Sequence, residues 1–385
     1  MDLNFKVTLI GTLPPIKGIS PYCKDLLTSL SKHAPVEFIG FKKIYPDFLY
    51  PGGKSTEDDI KESSITIENT RILNFLTYYN PLSWVIAGLT CKGDIIHAQW
   101  WSHVLAPQYF IILSICRIRR KKVIITAHNV LPHEKGRFSN ILNNAVLRLG
   151  DVFVVHSDRN ISQLCDTFNI PRERVVKIPM GTDANRNTES ITQEYARKRL
   201  SLPKDKQIIL FFGHIRLYKG LDVLLEAFNL VIRQNAKVHL VIAGYPWKNW
   251  DYYDSIIKNY QLGEHCTQFL NFIPSDDTKY YFSASDIVVL PYREFMSQSA
   301  VGADALAYGK PLIVSDVGGL PDFVKDRRAI VQPNNPKELA ESILSIIEDR
   351  ALLTKLSEDS RELREEYSWE NVANKTLEVY RDLHE

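Results

Sequence analysis

The sequence predicts two doubly wound α/β halves, each a parallel sheet covered by helices, with a further helix closing the chain. Three observations carry that expectation. Short apolar runs alternate with helical spans along most of the chain, as right-handed crossovers between parallel strands require. A polar, apolar-poor stretch at 181–205 divides the alternation into two series of similar size. The second series opens with Ile208–Phe212, a strand of the fully buried kind, which runs through a glycine and two cations into a helix.

In the first series, Phe5–Ile10 is a strand, followed by a Pro14-Pro-Ile-Lys-Gly-Ile-Ser20 loop and a helix near Tyr22–Lys32. Val36–Gly40 is the second strand, and the turn-rich residues 42–70 receive no assignment. Phe110–Lys122 reads as an apolar helix ending in cations, and Asp94–Gln99, Lys122–Thr126, Val152–Ser157 and Val175–Pro179 as further strands. The second series alternates strands 208–212, 238–243, 267–272, 286–290 and 311–315 with helices 221–234, 251–261, 276–284 and 299–308. From Ser368 to Tyr380 apolar residues recur at helical spacing. The expected domains are 1–182 and 183–366, with 367–385 as the closing helix.

Composition bounds the function. A chain of 385 residues exceeds one typical core, and 45% apolar with 24% charged residues is globular usage. A net charge of +2 gives no whole-molecule field for nucleic acid, so none is expected as a partner. The five cysteines form no Cys-x-x-Cys pair and read as buried thiols of a reducing cytoplasm. No signal peptide and no apolar stretch near ~18 residues is present, so a cytoplasmic protein without a membrane span is expected. His128, His133, Glu134 and His156 lack His-Glu-x-x-His spacing, and no metal is expected there.

The chemistry concentrates after the strand at 208–212. Gly213 permits a sharp turn, and Arg216 and Lys219 stand at the mouth of a helix whose N-terminus favours anions. Two cations and a helix N-terminus at the end of a parallel strand suit a diphosphate. A second strand–turn unit, Gly309 to Asp322, can close the same cleft between the halves.

Gly213-His-Ile-Arg216-x-x-Lys219-Gly220, Val241-Ile-Ala-Gly244 and Ala307 to Asp322 resemble the C-terminal half of family 4 glycosyltransferases. Gly11-Thr-Leu-Pro-Pro with Gly18, Ile96-His-Ala-Gln99 and Thr126-Ala-His128-Asn129-Val-Leu-Pro-His133 resemble the N-terminal half. The resemblance implies the GT-B fold, two Rossmann-like domains facing across a cleft, with the last helix crossing back to the first domain. It also implies retention of the donor's anomeric configuration. Arg216 and Lys219 would hold the donor diphosphate and stabilise charge on the leaving group without a metal or other cofactor. His128 corresponds to the family's sugar-contacting histidine; its alternative is a structural histidine capping a strand end.

One departure stands out. Where many members carry two glutamates separated by seven residues, this chain has Met296 and Asp304. The neighbouring Glu294-Phe-Met-Ser-Gln298-Ser299-Ala-Val301 resembles members with a Gln-Ser-Gly loop instead, with Ser299 approaching the phosphate and Glu294 replacing the missing glutamate. The implied donor-binding set is Gly18, Gly213, Glu294, Gln298, Ser299, Val301 and Asp304. Trp100 and Trp101 either wall the acceptor site or pack in the core. The cations at 117–122 either attract an anionic bilayer or form a solvated helix end.

These readings give a retaining, metal-independent hexosyltransferase moving sugar from a UDP- or GDP-linked donor to a saccharide or lipid-linked acceptor, in surface-glycan or glycolipid assembly. The rivals are a nucleotide-sugar epimerase on the same fold and a non-catalytic partner subunit, for which Met296 is the motive.

Overall fold

A computed structural model describes residues 4–16, 18–46, 66–130, 137–183, 191–247, 250–296 and 298–385. The chain forms two compact units, Met1–Gly181 with Trp369–Glu385, and Thr182–Ser368.

The first unit is built from β1 (Val7–Gly11), α1 (Ser20–Ser31), β2 (Val36–Lys43), β3 (Thr70–Thr77), α2 (Pro81–Thr90), β4 (Ile95–Trp100), α3 (Ala106–Ile118), β5 (Lys122–Ala127), α4 (Arg137–Leu147), β6 (Val152–Val155), α5 (Asp158–Phe168) and β7 (Val175–Lys177). Its strands form one parallel sheet in the order β3-β2-β1-β4-β5-β6-β7. The chain departs in opposite directions from β1, so the β1/β4 boundary is the switch point where such sheets bind ligands at their carboxyl ends. Local signals are evident. Asn80 caps α2 by accepting from the Leu82 amide, with Pro81 in the first turn. Ser157 caps α5, which Asn169 ends in the left-handed region.

The second unit contains α6 (Gln193–Arg199), β8 (Gln207–Phe212), α7 (Leu221–Gln234), β9 (Val238–Ala243), α8 (Asp251–Asn259), β10 (Cys266–Phe269), α9 (Thr278–Ala284), β11 (Ile287–Leu290), α10 (Ala300–Ala307), β12 (Leu312–Ser315), β13 (Ile330–Val331), α11 (Pro336–Glu348) and α12 (Arg350–Glu366). Its parallel sheet runs β10-β9-β8-β11-β12-β13, with the switch point at β8/β11. The central strands are buried on both faces, which is why they read as unbroken apolar runs.

Two expectations change. The stretch at 181–205 is not simply a linker, because α6 lies within it: Thr192 caps the helix, Ala196 is fully buried, and Arg197 pairs with Asp286 at 2.7 Å. Within 42–70, residues 47–65 lie outside the described residues; the next ones, from Thr70, form β3.

The last helix, α13 (Trp369–His384), belongs to the first unit. Val372, Ala373, Leu377 and Tyr380 enter the apolar cluster that α1 builds with Tyr22, Leu26, Leu27 and Leu30. Trp369 lies so close to Gly181 that a β-carbon there would stand 2.3 Å from the indole.

Candidate active site

The second unit assembles its cations at the carboxyl end of β8. Gly213 turns with φ +94°, and a β-carbon there would meet Lys219 Nζ at 3.0 Å and Val301 Cγ2 at 3.2 Å. The ammonium therefore lies over the glycine. Gly220 ends the turn at φ +67°, where a β-carbon would be 2.0 Å from the Pro291 carbonyl oxygen. Glycine is thus required twice, once for the ammonium and once for the backbone of the neighbouring strand end.

Lys219 is 8% exposed, and burial lowers its pKa from the ordinary value. Its Nζ sits 5.5 Å from the Tyr292 ring centre. The Arg216 guanidinium lies 4.1 Å over the Trp247 ring, and its buried Nε has no hydrogen-bond partner among the described residues. No carboxylate of the described residues pairs with Arg216 or Lys219. Two buried or stacked cations without a counter-ion leave an electrostatic vacancy suited to an anion.

The loops around this turn hold it in place. Ile215 N donates to the Tyr245 carbonyl at 2.9 Å, and Trp247 N to the Ile215 carbonyl at 3.0 Å, tying the loops after β8 and β9 together. Asp222 in the first turn of α7 accepts from Arg293 and Tyr252. Arg293 N in turn donates to the Tyr218 carbonyl at 2.7 Å. The run Tyr245-Pro-Trp247 at a strand end reads in sequence as either an acceptor wall or packing, and the structure stacks Trp247 on Arg216. Asp222 and Arg293 are not singled out by the sequence, where nothing joins one to the other.

The following loop contributes Tyr292, whose hydroxyl is 3.1 Å from Ser299 Oγ, and burial raises that phenol to about 12. Ser299 stands at the N-cap of α10 and is 3% exposed, as is Gln298; Val301 is buried beside Gly213. Asp304 and Met296 are half-buried, while Glu294 is exposed. Thus Gly213, Lys219 and Val301 meet in space, and Ser299 joins them through Tyr292.

In the first unit the polar ends of β4, β5 and β6 form one row. His97 Nδ1 meets Tyr380 Oη at 2.7 Å, and its Nε2 meets Thr126 Oγ1 at 2.7 Å and the Gln99 amide at 3.2 Å. Gln99 meets His128 Nε2 at 2.9 Å, His128 Nδ1 meets His156 Nε2 at 3.0 Å, and His156 Nδ1 meets the Ile178 carbonyl at 2.9 Å. Burial lowers the pKa of His97 to about 3, of His156 to about 4, and of His128 well below its usual value. Both nitrogens of His128 are engaged within the protein, as its structural alternative describes. Gly18, φ +102°, has open space where a β-carbon would stand.

Trp100 is 1% exposed and set edge-on to Tyr109 in the core, so packing accounts for it. Trp101 is half-buried against Phe41 and Tyr109. Of the cations at 117–122, Arg117 pairs with Asp151, Arg119 with carbonyls of α2 and its cap, and Lys121 with Asp94. His133 and Glu134 lie outside the described residues. Among the described residues no cluster of His, Cys, Asp or Glu is arranged to hold a metal, and no helix is long and apolar enough to cross a membrane.

Residues 192–363 match the model of glycosyl transferases group 1, and residues 44–186 that of glycosyltransferase family 4. A glycosyltransferase of Methanocaldococcus jannaschii is 32% identical over 312 residues, 75% of each chain. A D-inositol 3-phosphate glycosyltransferase of Nocardioides is 26% identical over 75% of this chain and 67% of its own. The fold matches Anabaena HepE in complex with UDP (TM-score 0.75, 15% identity, 98% of this chain and all of that one). It also matches a Rickettsia africae glycosyltransferase (TM-score 0.73, 18% identity, all of both chains). The chain belongs to the family 4 glycosyltransferases and has their two-domain GT-B fold.

Proposed function

We propose that the chain is a retaining, metal-independent hexosyltransferase that takes a hexose from a nucleotide diphosphate sugar, UDP- or GDP-linked. The observation that carries this is the pair of cations in the turn that follows Gly213, Lys219 over the glycine and Arg216 on Trp247, without a carboxylate partner among the described residues. In the reaction, Arg216 and Lys219 hold the diphosphate and stabilise the charge it gains as the sugar–oxygen bond breaks. The acceptor hydroxyl attacks from the face the diphosphate leaves, and the departing phosphate takes its proton. Ser299 and its Tyr292 partner add hydroxyls at the start of α10, in the manner of a Gln-Ser-Gly loop.

The acceptor in this reading is a saccharide or lipid-linked glycan, and the protein works on the cytoplasmic side of a membrane. Supporting this, α2 and α3 expose Leu82 (70%), Leu89 (56%), Phe110 (45%) and Ile118 (81%), and Arg120 and Lys122, which follow the end of α3, lack carboxylate partners among the described residues. The retained cations weigh against a non-catalytic subunit.

The test is a thermal-shift screen against UDP, GDP, ADP and TDP and their sugars, followed by transfer assays. A ligand at 100 times its Kd stabilises by about 2.7 kcal/mol. A selective shift that Arg216→Ala removes supports the reading, as do transfer in chelator and a product with the donor's anomeric configuration. The UDP and UDP-glucose complexes of Anabaena HepE put uridine nucleotides first. No shift with any nucleotide overturns it. Sedimentation with phosphatidylglycerol but not phosphatidylcholine vesicles tests the membrane face.

A further inference from the structure

Two thiols outside the cationic turn and the histidine row lie side by side in the first unit. Cys91 caps the end of α2 and Cys116 lies in the last turn of α3, with their Sγ atoms 3.5 Å apart. Gly88 makes this possible. A β-carbon there would stand 2.8 Å from Ile115 Cβ and 3.1 Å from the Ile112 carbonyl oxygen, so only glycine allows the two helices this close. Arg119 Nη1 is 3.1 Å from Cys91 Sγ and also donates to the Gly88 and Cys91 carbonyls, at 2.8 and 3.1 Å.

The pair is chemically asymmetric. The Cys116 thiol and the Arg119 charge favour the thiolate of Cys91 and lower its pKa, whereas the same contact and burial raise that of Cys116. One sulfur is therefore disposed to attack and the other to resolve. Cys23 and Cys266 are both pushed up to about 12 by burial, as expected of inert core thiols.

We propose that Cys91 and Cys116 are a peroxide-reactive dithiol site, in which oxidation joins α2 to α3 by one disulfide. The Cys91 thiolate attacks one peroxide oxygen, the O–O bond breaks, and the leaving hydroxide takes a proton to become water. Cys91 is then a sulfenic acid. The Cys116 sulfur attacks it, the S–S bond forms, the S–O bond breaks, and the second water leaves with the remaining proton. Two thiols and one hydrogen peroxide thus give one disulfide and two waters. The sulfurs close by about 1.5 Å to reach bonding distance. Both thiols are buried, so the reaction requires transient opening of the terminal turns that the half-buried Arg119 ties together.

The full chain, treated with hydrogen peroxide, alkylated and mapped by mass spectrometry, tests this. A dithiothreitol-reversible link between the Cys91 and Cys116 peptides, with the half-buried Cys165 unlinked, is the expected result. Untreated protein should bind one equivalent of phenylarsine oxide, which spans paired thiols, and peroxide-treated protein none. That second measurement needs no variant. Folded protein that gives only singly oxidised cysteines, links Cys165 instead, or keeps all its thiols overturns the proposal.

Discussion

His128 Nδ1 and His156 Nε2 stand 3.0 Å apart, and the far nitrogen of each ring is engaged as well. The Ile178 carbonyl only accepts, so His156 carries its proton on Nδ1 and accepts at Nε2 from His128 Nδ1–H. Neutral His128 must then accept at Nε2. In the structure Gln99 Oε1 faces that nitrogen, yet the two ends of an amide are assigned by their partners, and neutral rings require Gln99 Nε2 there. The Gln99 oxygen then accepts from His97 Nε2–H, and Tyr380 donates to His97 Nδ1. The His97 Nε2–H lies between the Gln99 oxygen and the closer Thr126 Oγ1, and the donors of the row point in one direction from α13 to β7. Nitrogen NMR near pH 7 should find His128 and His156 protonated on Nδ1 and His97 on Nε2. An imidazolium at any of the three would sink this ordering.

The same burial makes stability depend on pH. A histidine whose pKa is depressed in the folded state binds fewer protons there than in the unfolded chain below pH ~6.5. Stability should therefore fall as pH drops from about 6.5 toward about 4, the folded value for His156. Each of His97, His128 and His156 contributes a slope of about 1.4 kcal/mol per pH unit in its window, and none above pH ~7.5. Urea unfolding at pH 7.5, 6.5 and 5.5 measures it, and flat stability across that range contradicts it.

On the proposed diphosphate role, in which each supplies a fixed positive charge to the leaving group, Arg216→Ala and Lys219→Ala should each lower kcat by about 10²–10³ while leaving the circular dichroism spectrum unchanged. Undiminished transfer by either variant removes that residue from the diphosphate site.

Trp247→Ala should act through Arg216. The stack at 4.1 Å holds the guanidinium plane, so its loss should weaken donor binding by about 0.5–2 kcal/mol, a few-fold to roughly 30-fold in KM. Trp247→Phe should recover most of it. A lower Tm with no change in KM would mark the tryptophan as packing only.

Gly220→Ala combines a left-handed backbone with a β-carbon 2.0 Å from the Pro291 carbonyl. It should destabilise the second unit by about 2 kcal/mol or more, read as a lower urea midpoint. Gly263→Ala, where nothing stands within 4 Å, serves as the comparison.

Legibility followed chain distance. The strand–glycine–cation–helix order at 208–228 could be read because its parts are neighbours in sequence, and Gly213 and Lys219 do meet. β3 was missed because this edge strand mixes Arg71 and Asn74 among half-buried apolar residues and shows no clean period. α2 was missed although Asn80-Pro81 announces it, and α6 because seven mostly charged residues resemble a linker until Ala196 finds its pocket. The histidine row joins partners 28 or 29 residues apart on successive parallel strands, a spacing that only the sheet register brings side by side. Tyr380 is 283 residues from His97.

That last separation bears on how the chain is made. The second unit is one continuous segment and is complete once Ser368 has been synthesised. The first unit, though translated earlier, lacks the side chains that close its cluster on α1 until residues 369–385 follow. During translation its α1 face stays open while the later half is already able to fold, reversing the usual N-to-C order. A stop codon at 369 would therefore leave the wound in the half of the protein farthest from it in sequence.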